Sequence, residues 1–129
     1  ALSKVLSAFC TTIGETNNLQ VDFNCQIDIL DLDEYQNLAI YRFLQESLNN
    51  VNKHADATAV WINLDCSDGY INLSLEDNGK GFDAARIQES SKGLGLSIMR
   101  ERAMLLGGAL EIKTAPGMGT SVIVEVPLL

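Results

Sequence analysis

Apolar positions along this chain switch between two spacings. Leu2, Val5, Leu6, Phe9 and Ile13 recur every three or four residues, which predicts an amphipathic helix over residues 2–14, ended by Gly14 and Asn17-Asn18. Leu19, Val21, Phe23, Cys25, Ile27 and Ile29 then alternate, the spacing of a half-buried strand. Asp33 is a candidate N-cap for a long helix that runs to about His54. Val60, Ile62 and Leu64 share one face of a strand, and Ile71, Leu73 and Leu75 share one face of the next. Between them stands Asp68-Gly69, a hairpin turn. The stretch 78–92 is polar and punctuated by glycine, with no sustained apolar period; loops of that length inside a domain are functional or disordered. Leu96, Met99, Ala103 and Leu106 mark a further helix, stopped by Gly107-Gly108. Leu110 and Ile112, then Pro116-Gly117-Met118-Gly119, then Val122, Val124 and Val126 predict a closing hairpin, with Pro127 near its end.

The order helix, strand, helix, hairpin, loop, helix, hairpin predicts one domain over 1–129 of the α+β class. Short turns make neighbouring strands antiparallel, and the helices must cover one face of the sheet. The expected architecture is a two-layer α/β sandwich with a mixed, mostly antiparallel sheet. No internal repeat or linker interrupts it.

Charge and composition narrow the chemistry. A formal net charge of -8 argues against non-specific nucleic-acid binding, which needs a basic surface. Six of the nine basic residues (Lys53, Lys80, Arg86, Lys92, Arg100, Arg102) fall between positions 53 and 102, where they either serve an anionic ligand or form a solvated, salt-bridged surface. Three cysteines without a C-x-x-C pair read as reduced thiols, and a single histidine makes a zinc site implausible. No apolar run reaches ~18 residues, so no membrane contact is expected of this chain. Its first residues lack a signal-peptide pattern, and a start at Ala1 is what a piece of a longer protein would show. The expected setting is cytoplasmic, with membrane anchoring of a parent protein left open.

The second helix carries the first candidate site. At ~100° per residue, Tyr41, Leu44, Leu48, Val51 and Ala55 form one stripe, and Glu46, Asn50 and Lys53 fall roughly opposite it. A plain surface helix would also be polar there. Yet Asn49, Asn50 and Asn52 are poor helix formers, and Glu, Lys, Gln or Arg would suit a merely solvated face better. A carboxylate and a carboxamide oxygen one turn apart can hold Mg²⁺, which takes oxygen ligands and keeps several waters. Lys53 could meet a phosphate.

Two glycine-containing segments follow. Asp77-Asn78-Gly79-Lys80-Gly81 comes directly after a strand. It reads either as a simple turn or as a strand-end carboxylate that accepts from an exocyclic amine while glycines let backbone approach a flat ring. Gly93-Leu94-Gly95-Leu96 opens the next helix, where free amides favour phosphate. It is no Rossmann fingerprint, because Glu89-Ser90-Ser91-Lys92 rather than a strand precedes it, and no Walker A sequence occurs.

Together these segments resemble the ATP-binding (Bergerat) fold shared by histidine kinases, gyrase-type topoisomerases, Hsp90-type chaperones and MutL proteins. Residues 46–55 look like its N box, Asp77-x-Gly79-x-Gly81 like its first glycine box and Gly93-x-Gly95 like its second. Asn50-x-x-Lys53-His54-Ala55 resembles histidine kinases most. Lys92 to Arg102, with Gly107-Gly108 and Pro116-Gly117-x-Gly119-Thr120, is similar to the nitrate-sensor-type subfamily. The resemblance implies ATP and Mg²⁺ as cofactors, with Asn50 ligating the metal and Glu46 positioning a water or acting as a base. It implies Lys53 and His54 at the phosphates, Asp77 at the adenine with support from Thr120, and a lid from Lys80 to Lys92. Lys92, Arg100 and Arg102 are candidate phosphate or partner contacts. The phosphoacceptor histidine belongs on a separate dimerisation helix, so this chain is not expected to autophosphorylate alone; a response regulator would be an indirect partner. The same fold also serves anti-sigma-type serine kinases, and a third reading is a module that binds nucleotide as a structural signal.

Overall fold

Alternation of apolar residues builds two hairpins that pair with each other within one sheet. In a computed structural model, residues 2–26, 34–81 and 91–128 are described; the side chains of Leu2, Ser3, His54, Ala55 and residues 91–96 fall outside that description. The elements are α1 (Leu2–Asn17), β1 (Gln20–Cys25), α2 (Glu34–Asn50), a π-helical turn (Val51–Ala55), β2 (Ala59–Ser67), β3 (Tyr70–Asp77), α3 (Ser91–Leu105), β4 (Ala109–Thr114) and β5 (Thr120–Pro127). The sheet order is β1-β2-β3-β5-β4. β1 runs parallel to β2, and every other pair is antiparallel. The expected α+β sandwich with a mixed sheet is therefore what forms.

The β2–β3 register sets Ser67 opposite Tyr70. Asp68 and Gly69 both take positive φ, 53° and 79°, the two-residue turn whose twist matches the strands it joins. Val60, Ile62, Leu64, Ile71, Leu73, Leu75, Val122, Val124 and Val126 fill the covered face. Leu6, Cys10, Ile40, Phe43, Leu44, Leu48 and Met99 reach it from the helices. Phe9 and Tyr41 meet at 5.4 Å between ring centres, so α1 also packs on α2. Pro127 pairs with Tyr70 at the end of the β3–β5 ladder and lies beyond the last β4 pair, and its carbonyl accepts a bond from Gln36 Nε2 at 2.8 Å.

Three expectations shift. Gly14 does not end α1. It lies inside the helix, where the absence of a Cβ lets the Leu19 backbone pass close; the stop is Asn18 at φ 52°, with Leu19 N–H bonded back to Gly14 O. The last helix begins at Ser91, earlier than its apolar period suggested, and ends at Leu105 with Gly107 left-handed and Gly108 N–H bonded to Ala103 O. The buried residues of α2 are Gln36, Ile40, Phe43, Leu44, Ser47 and Leu48, a stripe rotated from the predicted one because α3 also packs on α2. Ile27, Ile29, Asp33 and residues 82–90 of the expected lid from Lys80 to Lys92 lie outside the described residues. Among the described residues no helix is long and apolar enough to cross a membrane.

Candidate functional site

The rotated stripe changes the setting of the second-helix candidates. Glu46 and Asn50 are half-buried at the border of the packed face rather than opposite it. Asn50 Nδ2 points at the Met99 thioether of α3, 4.0 Å away, which leaves its amide oxygen without a hydrogen bond among the described residues. A carboxylate and an unengaged amide oxygen one turn apart form a half-set of hard oxygen ligands, as a magnesium that keeps waters and phosphates would require. No group of three or more His, Cys, Asp or Glu that could hold a metal occurs among the described residues, so any metal here would rely on its ligand's own oxygens.

Past Asn50 the helix widens into the π turn. Such turns occur mostly as single-turn insertions and are frequent at functional sites. Lys53, exposed, and the backbone of His54 belong to it, and Asp56 closes it in the left-handed region at φ 51°.

At the end of β3, Asp77 alternates in phase with Leu73 and Leu75, which turns its side chain to the helix-covered face and leaves it 5% exposed. Its Oδ1 accepts the Gly79 N–H at 2.8 Å, a local loop that fixes the first glycine box. Asn78 points the other way. Its Oδ1 accepts the N–H groups of Thr58 and Ala59 at 2.9 and 3.0 Å, and its Nδ2 donates to Thr58 Oγ1 at 2.9 Å. The glycine box is thereby tied to the segment leaving the N-box turn. Lys80 lies 3.9 Å from Asp56 across the same gap, an exposed pair of small energetic weight.

The turn between β4 and β5 backs the glycine box. Gly81 is buried at φ 64°, and a Cβ there would overlap the Ala115 carbonyl oxygen. Gly119, at φ 72°, lies so near Asp77 that a Cβ would overlap the Asp77 carbonyl oxygen. Gly117 N–H donates to Lys80 O. Thr120, buried, pairs with Asp77 in the ladder, and its hydroxyl lies 3.0 Å from that of Thr114. Since Thr114 donates to Gly119 O at 3.1 Å, Thr120 donates to Thr114 and keeps its lone pairs for another donor.

Of the predicted site residues, Asp77, Gly79, Gly81 and Thr120 come together where the end of β3 meets the start of β5. Glu46 and Asn50 stand on α2, with Asn50 against Met99, and Lys53 lies in the π turn that leads to the Thr58–Ala59 segment held by Asn78. Lys92, Gly93, Leu94, Gly95 and Leu96 lie in the first turns of α3, whose leading N–H groups have no intrahelical acceptor. Arg102 sits apart, beside Leu38 and Arg42 near the other end of α2. Sequence reasoning missed Asn78, Thr114 and Thr58. Asn78 was visible only as a turn residue, and a threonine pair across a strand register has no linear signature.

The profile of the family described as histidine kinase-, DNA gyrase B-, and HSP90-like ATPase matches residues 35–129. The chain belongs to this family. The ATPase-family domain is 34% identical over 127 residues to the signal transduction histidine-protein kinase/phosphatase DegS of Brevibacillus brevis, covering 98% of this chain and 32% of that protein. It is 43% identical over 99 residues to the sensor histidine kinase ComP of Bacillus subtilis, covering 77% of this chain and 13% of that one. The chain thus spans about a third or less of the curated relatives it matches. The histidine kinase domain from the Erythrobacter litoralis EL346 blue-light activated histidine kinase superposes with a TM-score of 0.79 at 24% identity, over 98% of this chain and 61% of that one. Acinetobacter baumannii histidine kinase AdeS gives 0.74 at 14% identity, over 98% and 63%. These superpositions establish the fold.

Proposed function

We propose that this domain binds Mg-ATP and passes its γ-phosphoryl group to a histidine on a separate dimerisation domain, from which a response-regulator aspartate would take it. What supports the reading is the half-buried Glu46–Asn50 pair on α2, which runs on through the π turn to the segment that Asn78 ties to the glycine box beside the buried Asp77, in a chain of the ATPase family. The bound nucleotide supplies the phosphoryl group and the metal supplies charge neutralisation, the two needs of phosphoryl transfer that positioning then serves. Asn50 would offer its amide oxygen to the metal, and Glu46 would hold a water or take the proton of the attacking imidazole. Lys53 and His54 would face the phosphates, and the free amides of α3 from Lys92 to Leu94 would cradle them together with Gly93 and Gly95. Asp77 would accept from the adenine amine, with Thr120 beside it. Gly79 and Gly81 would let the ring lie against backbone. In the transfer, an imidazole nitrogen bonds to the γ-phosphorus as the bond to the β–γ bridging oxygen breaks, and ADP leaves with that electron pair.

Mixing the domain with a separately produced dimerisation domain and γ-labelled ATP tests the reading. Acid-labile, base-stable label should appear on the second domain only when both are present, and should vanish with Asn50→Ala. An acid-stable product on serine, or no transfer under single-turnover conditions, sinks it.

A further inference from the structure

Away from the nucleotide end, α2 and α3 leave an apolar face uncovered by the described residues. On α2, Tyr35 and Leu38 are 61% and 53% exposed; on α3, Leu105 is 74% exposed. Large apolar side chains grouped in this way, rather than scattered singly, mark interaction surfaces. The residues follow helical spacing. Tyr35, Leu38 and Arg42 share one stripe of α2, while Arg102 and Leu105 share one stripe of α3. Asn50 touches Met99 while Arg42 and Phe43 border Arg102 and Leu105, so the two helices run antiparallel and the stripes face a common cleft. The cleft measures about 360 Å³ and includes Tyr35, Leu38, Arg42, Phe43, Arg102 and Leu105 in its walls.

The charges decide what fits. Neither Arg42 nor Arg102 has an ion pair or hydrogen bond among the described residues, in a chain whose net charge is -8. A purely apolar or basic occupant would strip water from two guanidinium groups and give nothing back. Carboxylates at the edges of an apolar strip would pair with each in a two-pronged geometry. From Tyr35 to Arg42 the groove wall runs ~10 Å, about two turns, which suits a helix laid into a groove. Arg42 is eight residues, or ~12 Å, from Asn50 along α2, so this surface is separate from the nucleotide site. We infer that the α2–α3 cleft docks an amphipathic helix whose apolar stripe is flanked by acidic residues, with Arg42 and Arg102 pairing to those flanks.

The test is anisotropy of a labelled 18-residue peptide (length set by ~27 Å of helix) with leucine at helical spacing and glutamate at the stripe edges. Two companions carry lysine in place of glutamate, or the same residues in scrambled order. The glutamate peptide should bind on the order of tenfold tighter than either companion. The double variant Arg42→Glu/Arg102→Glu should lose that binding and gain affinity for the lysine peptide, and Leu38→Asp should weaken both. All variants lie on the surface, and unchanged melting temperatures check their folding. Equal binding of ordered and scrambled peptides, or indifference to the arginine reversal, overturns the inference. So does sedimentation showing that the cleft is filled by a second copy of the chain, released by Leu38→Asp.

Discussion

Asp77→Asn tests the proposed adenine contact. The side chain is 5% exposed, and its Oδ1 accepts the Gly79 N–H at 2.8 Å. Asparagine has the same shape and can keep its oxygen on Gly79, so this turn bond should survive. What changes is the second atom, an acceptor that becomes an N–H₂ donor. If the adenine amine donates to it, the substitution removes a charge-assisted bond of about 1.5–3 kcal/mol and sets donor against donor. A middle value of ~2 kcal/mol is roughly a 30-fold weaker Kd. At a ligand concentration ~100 times the wild-type Kd, binding adds roughly 2.7 kcal/mol of stability; a 30-fold weaker site adds only ~0.9. At roughly 4 °C per kcal/mol for a chain of this length, the melting shift with Mg-ATP should fall from ~11 °C to ~4 °C. The ligand-free melting temperature should move by less than ~4 °C. Differential scanning calorimetry with and without Mg-ATP reads both quantities. An undiminished ligand shift refutes the adenine contact, and a ligand-free loss as large as the lost shift refutes the claim that asparagine preserves the turn.

Asn50→Ala should lower ATP affinity at least ~10-fold in Mg²⁺ and leave affinity in excess EDTA unchanged, as measured by titration calorimetry; equal losses in both buffers would remove Asn50 from the metal. Gly117 and Gly119 both take positive φ, yet a Cβ meets open space at Gly117 and the Asp77 carbonyl at Gly119. Gly117→Ala should therefore cost about 1–2 kcal/mol from backbone strain alone, and Gly119→Ala distinctly more, with loss of ATP binding; equal urea midpoints would contradict the close packing. Burial pushes the Cys10 thiol from 9.0 to about 11. The unfolded thiol ionises first as pH rises, so this contribution is intact below pH 9 and declines by up to ~3 kcal/mol between pH 9 and 11. The stability difference between wild type and Cys10→Ala should narrow over that window, and a constant difference would show that the thiol does not titrate there.

Much of this fold was legible because its strands each bury one face. Val60, Ile62 and Leu64 alternate without exception, and Asp68-Gly69 is chemically suited to the one turn that fits between them. The N box was legible through an oddity, asparagines where a solvated helix would carry better helix formers. Where helix boundaries slipped, a tertiary neighbour outweighed local preference. Gly14 stays helical because Leu19 needs the room, and the buried stripe of α2 rotates because α3 lies beside it. Periodicity could not foresee the π turn, since residues 51–55 continue an acceptable α-helical pattern and the widening appears only in the hydrogen-bond step. Asn78 escaped notice for a similar reason: its three partners are backbone and hydroxyl groups of Thr58 and Ala59, twenty and nineteen positions away.

The parallel pairing of β1 with β2 has a further consequence. Two strands that point the same way cannot be joined by a tight bend, so the chain must travel back along the sheet before β2 can start. That return journey is made by α2, the helix that also presents Glu46 and Asn50. Adding one residue within it would swing every later group by about 100° and push it forward 1.5 Å, detuning the site while leaving the strand alternation untouched. Changes of length in this lineage should therefore be purged from α2, whose turn count works as a gear between sheet closure and the placing of Glu46 and Asn50.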